Sequence, residues 1–276
     1  MLFSKTAILT DLDGTLFNSR GEVSRADRTA IAAYVTQGGI FAIASGREAH
    51  NARRHLPGIP LNGPSIVLNG AAIYDFQKEE YRSLQTLDLE AAAAVTEQCL
   101  RSELPLDIQI YTDEGIFYVT PLETANPGFL EIHQPTSFLP LSSLKAKRWV
   151  KVVFLERTPG TLATMRGFLR EQGFDRRLNL VEGRTDVVEA GNYQELLPLN
   201  INKGTCMDQL RLLPEYEGRV LFAVGDYWND MELLQAADVA CAPENAIEEI
   251  KAVCQYVLPS HNDAPMAHLI FSIIAE

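Results

Sequence analysis

The sequence predicts an α/β protein: a parallel-sheet domain into which a second, α+β segment is inserted. Residues 1–84 alternate short apolar strands with helical stretches, and the same alternation returns after residue 192. Such alternation predicts a parallel sheet covered by helices on both faces. The residues between follow a different pattern. We therefore predict a core domain from residues 1–84 and 192–276, and an inserted domain from residues 85–191.

The core begins with a buried strand, Thr6–Thr10, and a helix from Ser24 to Gln37. Ser24 is a favoured N-cap residue, and Gly38-Gly39 ends this helix. The other predicted elements of the first half are the strands Ile40–Ala44 and Ser65–Leu68, the helix Glu48–Leu56, and a hairpin of Ala72–Phe76 with Tyr81–Leu87. The second half contributes the helices Lys203–Leu213, Asp230–Ala236 and Ala246–Ala252 and the strands Val220–Val224 and Val239–Cys241.

The inserted segment mixes both kinds of element and contains a proline-bearing stretch, Asn126–Lys147, that is predicted to be rich in loops. Its predicted elements are the helices Asp88–Ser102 and Thr161–Gln172 and the strands Asp107–Tyr111, Gly115–Thr120, Val150–Glu156, Asn179–Val181 and Thr185–Glu189.

Composition and charge narrow the function classes. A hydrophobic fraction of 46% and a charged fraction of 22% are typical of globular proteins. The net charge of −12 argues against nucleic-acid and anionic-membrane partners, which both need a basic face. The apolar run Ala7–Leu9 is too short for a signal peptide, and no stretch approaches the ~18 apolar residues that span a bilayer. We predict a cytoplasmic monomer or small homo-oligomer. Four widely spaced cysteines favour buried thiols over a zinc site or disulfides.

Two aspartates, Asp11 and Asp13, follow the first strand in the run D-L-D-G-T-L. Ligands of parallel α/β sheets bind at the carboxyl edge of the strands, where these side chains are expected. Two neighbouring carboxylates repel each other unless they share a cation, and oxygen ligands favour Mg²⁺. An ordinary Asp-Gly turn is the alternative. The full run is more specific, because it also supplies the hydroxyl of Thr15 and a flexible glycine.

Two further motifs carry groups that suit a phosphate. Ser45 and the backbone N–H of Gly46 follow the second strand, although Ser45 also fits a plain helix N-cap. Lys203 opens a helix, where the macrodipole disfavours a cation unless an anion lies close by. A solvated surface lysine is the alternative interpretation.

The strand Val220–Val224 runs into G-D-Y-W-N-D, which brings two more carboxylates and an amide to the same edge. Asp226 is placed to complete the oxygen shell of a metal ion. Helix capping explains Asp230 well and Asp226 poorly.

The ordered motifs D-L-D-G-T-L, S-G-R, N-K-G and G-D-x-x-N-D resemble those of the haloacid dehalogenase superfamily of phosphatases. The large insertion is similar to that of the Cof-type branch, as are N-G-A at 69–71 and P-E-N-A at 243–246. The resemblance covers essentially the whole chain. It implies a Rossmannoid core with a movable α+β cap, and a Mg²⁺-dependent phosphomonoesterase that acts on small metabolites such as sugar or cofactor phosphates.

The resemblance also implies roles for the acidic residues. Asp11 is the nucleophile that forms an aspartyl phosphate, and Asp13 is the general acid and base. Asp11, the backbone carbonyl of Asp13, and Asp226 hold the Mg²⁺ ion. Thr15 supports them.

The phosphate-binding roles fall on Ser45, Lys203 and Asn229, with Gly46 in support. Asp230 orients Lys203 or a metal-bound water, and the roles of Asn229 and Asp230 are interchangeable at this stage.

Three features stay open. The bulky pair Tyr227-Trp228 either walls the phosphate site or packs beneath the cap, and packing is favoured. Ala264-Pro265 stands where the family often has glycine. Arg47 fits a contact with the cap or substrate as well as a helix surface.

Three other functions would use some of the same residues. A phosphomutase of the same superfamily usually carries a small helical insertion soon after the first motif, whereas this insertion comes later and is mixed α+β. A phospho-signalling receiver needs only ~120 residues in one domain. A silent phosphate-binding module would not need the complete set of motif residues.

Overall fold

The computed structural model describes residues 2–121, 137–184 and 192–275. It divides into two compact units, Met1–Leu84 with Asn202–Glu276, and Gln85–Ile201. The first holds a parallel sheet and the second a mainly antiparallel one. The predicted α/β class, with a parallel-sheet core and an inserted α+β unit, is confirmed.

The elements are numbered in chain order. The strands are β1 Thr6–Thr10, β2 Ile40–Ile43, β3 Ser65–Val67, β4 Ala72–Asp75, β5 Glu80–Leu84, β6 Leu106–Thr112, β7 Gly115–Tyr118, β8 Ser137–Phe138, β9 Trp149–Glu156, β10 Leu178–Arg184, β11 Asn192–Pro198, β12 Val220–Val224, β13 Val239–Pro243 and β14 Tyr256–Leu258. The helices are α1 Arg25–Thr36, α2 Ala49–His55, α3 Leu89–Arg101, α4 Leu141–Leu144, α5 Thr161–Glu171, α6 Lys203–Arg211, α7 Met231–Ala236, α8 Glu248–Lys251 and α9 Pro265–His268.

The core sheet has the order β14-β13-β12-β1-β2, and every pairing in it is parallel. β1 lies between β12 and β2, and all five of its residues are buried. At the carboxyl end of β1, Thr10 pairs with Val224 on one side and with Ile43 on the other. The residues that follow these three strands therefore meet at one edge.

Local sequence explains the ends of the first helix. The Ser24 side chain accepts a hydrogen bond from the Asp27 N–H and caps α1, as predicted. Gly38 follows the helix with φ +88°, a left-handed conformation that glycine adopts at little cost. A separate antiparallel hairpin sheet, β3-β4-β5, follows α2.

The second unit is a six-stranded sheet of order β10-β11-β9-β6-β7-β8. Its buried apolar cluster unites residues of α3 and α5 with alternate strand residues such as Ile108, Val152 and Phe154. The second domain boundary differs from the predicted one. β11 pairs with β10 and β9, so residues 192–201 belong to the inserted unit and not to the core.

Several short elements were not predicted. β14 and α9 are three and four residues long, too short for a recognisable period. β8 and α4 lie in the stretch expected to be loops, whose first part, 126–136, is outside the described residues. The predicted strand Thr185–Glu189 also falls outside them. Within the described ranges, no helix has the length and apolar character needed to cross a bilayer.

Candidate active site

Three strand ends bring the predicted site residues to one edge of the core sheet. Asp11 follows β1, and its N–H donates to the carbonyl of Val224 at 2.8 Å. Asp226 comes two residues after Val224. On the other side, the Ala44 N–H donates to the Thr10 carbonyl at 2.8 Å, and Ser45 follows.

Lys203 is a fully buried cation between two carboxylates. Its Nζ donates to Asp11 Oδ1 and to Asp230 Oδ1, both at 2.6 Å. It is the first residue of α6, which Asn202 and Thr205 begin with a reciprocal capping box. The alternative of a solvated surface lysine is therefore wrong.

Asp230 fixes both the lysine and the loop that carries Asp226. While Oδ1 accepts from Lys203, Oδ2 accepts from the N–H groups of Asp226 and Tyr227 at 3.1 and 3.3 Å. Its side chain therefore does not cap α7, the role that helix capping would have given it. A Cβ on Gly225 would lie 2.5 Å from Asp230 Cβ, so the close approach needs glycine.

The first motif packs directly on Asp226. Thr15 Oγ1 donates to Asp226 Oδ1 at 2.6 Å. Gly14 has φ +77°, and a Cβ there would lie 2.5 Å from Asp226 Oδ2. The glycine thus serves both a left-handed turn and close contact with a carboxylate.

The carboxylates Asp11, Asp226 and Asp230 each offer an oxygen within 4.8 Å of the others. With Lys203 as their buried counter-charge, three ionised carboxylates leave two negative charges uncompensated. Burial raises the pKa of Asp11, and repulsion from the neighbouring aspartates adds to this effect. The attraction of Lys203 opposes the rise but does not cancel it. Burial and Asp230 raise the pKa of Asp226 to about 7. Burial alone would lower the pKa of Lys203, but the charges of Asp11 and Asp230 raise it overall, so it stays cationic.

These residues fit a hard divalent cation. Among the described residues, Asp11 and Asp226 make their side-chain hydrogen bonds through Oδ1, which leaves the Oδ2 atoms to a metal ion. Asp230 uses both oxygens in hydrogen bonds to Lys203 and to the loop. Two such oxygens and a charge deficit of two suit a divalent cation.

Asp13 points away from this group. Its side chain is 60% exposed, against 10% for Asp11. Both of its oxygens accept from Arg47, Oδ2 from Nε at 2.8 Å and Oδ1 from a terminal nitrogen at 2.7 Å. Arg47 also lies over the ring of Phe17 and donates to Asn51. Arg47 is therefore tied to the first motif and is not a plain helix-surface residue.

The remaining predicted residues lie at the same edge with other partners. Ser45 is buried, and its Oγ accepts from the Arg47 N–H, whereas Glu48 caps α2, so the N-cap alternative for Ser45 is wrong. Asn229 Nδ2 donates to Asn69 Oδ1 at 3.2 Å, and it is Asp230 that accepts from Lys203. A Cβ on Gly46 would lie 2.9 Å from Asn69 Nδ2, so Asn69 connects the second and fourth motifs.

Two residues were missed by the sequence reasoning. Asn245 Nδ2 donates to the Gly14 carbonyl at 2.8 Å, and His261 Nδ1 lies 3.2 Å from the same oxygen. The His261 N–H donates to Asn245 Oδ1, which joins the two side chains. Together they hold the carbonyl of Gly14, the residue that packs against Asp226. The run P-E-N-A was a signal for Asn245, whereas a scattered histidine carries none.

Comparison with known proteins shows which class of enzyme and which family the chain belongs to. The chain is an enzyme, a phosphatase of the haloacid dehalogenase superfamily. The profile of the haloacid dehalogenase-like hydrolase family matches residues 8–270, and the chain belongs to this family. The resemblance inferred from the motifs, including its Cof-type character, is confirmed.

The chain is similar to two curated relatives and to one solved structure. The chain is 23% identical to the 5-amino-6-(5-phospho-D-ribitylamino)uracil phosphatase YwtE of Bacillus subtilis, over 97% of this chain and 98% of that protein. It is 27% identical to the chloroplastic endoribonuclease YBEY of Arabidopsis thaliana, but spans only 46% of that longer protein. A HAD/COF-like hydrolase from Plasmodium vivax shares the fold with a TM-score of 0.80 and 21% identity, over 99% of this chain and 96% of that one.

Proposed function

We propose that this phosphatase is a Mg²⁺-dependent phosphomonoesterase that works through an aspartyl phosphate on Asp11. The observation that carries the proposal is the buried group of Asp11, Lys203 and Asp230 beside Asp226. Its lysine is fixed for a phosphoryl oxygen, and its uncompensated negative charge suits a divalent cation. Neither feature is needed for a structural ion pair.

The two aspartates take different steps. A carboxylate oxygen of Asp11 attacks phosphorus, and the ester bond to the leaving oxygen breaks as Asp13 donates a proton to that oxygen. Asp13 then takes a proton from the water that attacks the aspartyl phosphate, which releases inorganic phosphate. The high exposure of Asp13 suits a group that exchanges protons with a leaving group and with water.

The other residues bind and orient. Lys203 binds a phosphoryl oxygen and offsets charge in the transition state, and Ser45 and the Gly46 N–H bind further oxygens. Asp230 holds Lys203, while Asn229 acts on the phosphate together with Asn69.

Asp11, the Asp13 carbonyl and Asp226 would hold Mg²⁺. When bound, this ion neutralises charge on the phosphoryl oxygens.

We further propose that residues 1–84 and 202–276 form the catalytic core and that the inserted unit is the cap. The substrates are small phosphorylated metabolites, sugar or cofactor phosphates. The Bacillus subtilis relative is named for a substrate that carries its phosphate on a ribityl chain, which supports this class. A cytoplasmic monomer or small homo-oligomer without nucleic-acid or membrane partners stays a prediction from the sequence.

Phosphate release from p-nitrophenyl phosphate, with and without Mg²⁺, tests the mechanism. Asp11→Asn should lose activity by at least about a thousandfold, because the amide is not a nucleophile. Asp208→Asn is the matched control, since Asp208 is exposed on α6 and should keep full activity. Undiminished activity in Asp11→Asn, or activity that persists after chelation of divalent ions, would contradict the proposal.

A further inference from the structure

Tyr227 and Trp228 form an exposed aromatic pair within the fourth motif. They are 38% and 50% exposed, whereas the other tryptophan, Trp149, is buried. The pair stands between Asp226 and Asn229, two residues of the proposed site.

The turn that carries the pair is held in place. Asp230 accepts from the N–H groups of Asp226 and Tyr227, and its own N–H donates to the Tyr227 carbonyl at 2.9 Å. Residues Trp228–Asp230 form a single 3₁₀ turn that leads directly into α7. The two rings are thus presented from a fixed backbone beside a buried, charged centre.

We propose that Tyr227 and Trp228 bind a planar ring in the leaving group of the phosphate ester. The inference rests on the proposed function, because a phosphoryl group held by Asp11 and Lys203 sets where the leaving group begins. Consecutive Cα atoms are ~3.8 Å apart, so Trp228 Cα lies within ~7.6 Å of Asp226 Cα, and its side chain spans a comparable distance. A ring attached by a short linker is therefore within its reach.

Aromatic side chains favour one class of partner. Stacked or edge-to-face rings gain binding energy beyond that of the apolar area that they bury. Indole and phenol rings stack on planar heterocycles of many kinds, because each has a π-face. Saturated rings gain only the area term. The pair thus selects phosphate esters of aryl or heteroaromatic compounds over those of saturated sugars and alcohols.

The test compares benzyl phosphate with cyclohexylmethyl phosphate, whose rings differ mainly in planarity. The readout is the ratio of their kcat/KM values. We expect Trp228→Ala to lower this ratio about two- to tenfold, as loss of one aromatic contact predicts, and Tyr227→Ala to lower it in the same direction. Trp228→Phe should keep most of it. Phe271→Ala, which removes another half-exposed ring, should leave it unchanged.

Each result is decisive. An unchanged ratio in Trp228→Ala and Tyr227→Ala, while the wild type hydrolyses both esters, would overturn the inference and leave the proposed function standing. Hydrolysis of neither ester would instead leave the proposed function to the p-nitrophenyl phosphate assay. In that case tryptophan fluorescence decides: quenching by benzylphosphonate in the wild type but not in Trp228→Phe supports ring binding, and equal emission changes in both proteins overturn it.

Discussion

Replacement of Lys203 by methionine tests how the charges of the site are balanced. The change keeps a long apolar side chain but removes the ammonium group that bonds Asp11 and Asp230 at 2.6 Å each. Lys203 and Asp230 have no exposed side-chain surface, and Asp11 has 10%. Two buried carboxylates would then lack their counter-charge.

The magnitude follows from this burial. Loss of one partner of a buried ion pair costs about 3–5 kcal/mol, because the remaining charge is left desolvated. With a urea dependence of about 2 kcal/mol per molar, the unfolding midpoint of Lys203→Met should fall by about 1.5–2.5 M. The double variant Lys203→Met/Asp230→Asn should recover part of this loss, since it removes one of the stranded charges.

Urea unfolding followed by circular dichroism, without divalent ions, measures the effect. Lys251→Met is the control, because Lys251 pairs with the 86% exposed carboxylate of Glu248 at the surface. Its cost should stay under about 1 kcal/mol. If Lys203→Met lowered the midpoint no more than Lys251→Met, the buried carboxylates would not depend on this lysine and the reasoning would be refuted.

Four further predictions concern the metal loop and the backbone. Gly14→Ala and Gly58→Ala both place a side chain at a φ near +75°, and each should lower the free energy of unfolding by about 1–2 kcal/mol. Only Gly14→Ala crowds Asp226, so only this variant should also weaken activation by Mg²⁺, by about tenfold or more. Equal effects of the two variants on activation would contradict the contact between residue 14 and Asp226. Because a proton competes with Mg²⁺ for Asp226, the half-activating Mg²⁺ concentration should rise about tenfold per pH unit below about 7 and level off above it. In the folded protein the pKa of Asp226 exceeds its ordinary value of 3.8, so the metal-free protein should lose stability as pH rises from 3.8 through about 7. A gain in stability over this range in urea titrations would contradict the raised pKa. Ala264→Gly should raise Tm by about 1–4 °C, since Ala264 has φ +55° directly before a proline, and a lower Tm would refute the strain.

The fold of the core was predictable because its signals are local. β1 and β12 are short apolar runs found where predicted, and α1 begins at its predicted cap. The inserted unit was harder. β11 begins among residues outside any clear pattern, and only its antiparallel pairing with β10 and β9 assigns it to the second unit. Long-range pairing overrides local propensity in strands.

The site divides in the same way. Its acidic residues and lysine could be named from motifs, because chemistry restricts the residue types at a strand end. Their partners could not. Arg47 lies 34 residues from Asp13, and Asn69 lies 160 residues from Asn229, and neither distance has a sequence signal.

The sequence by itself determined the fold class, the family, and the identity of the charged residues at the sheet edge. These follow from periodicity and from residue types at element ends, which act over a few positions. Only the tertiary structure decided that Lys203 is buried between Asp11 and Asp230, that Asp13 turns toward Arg47, and that the rings after Asp226 stay exposed. The physical reason is that burial and charge pairing depend on which segments, far apart in the chain, meet in the fold. A local sequence pattern does not specify those contacts.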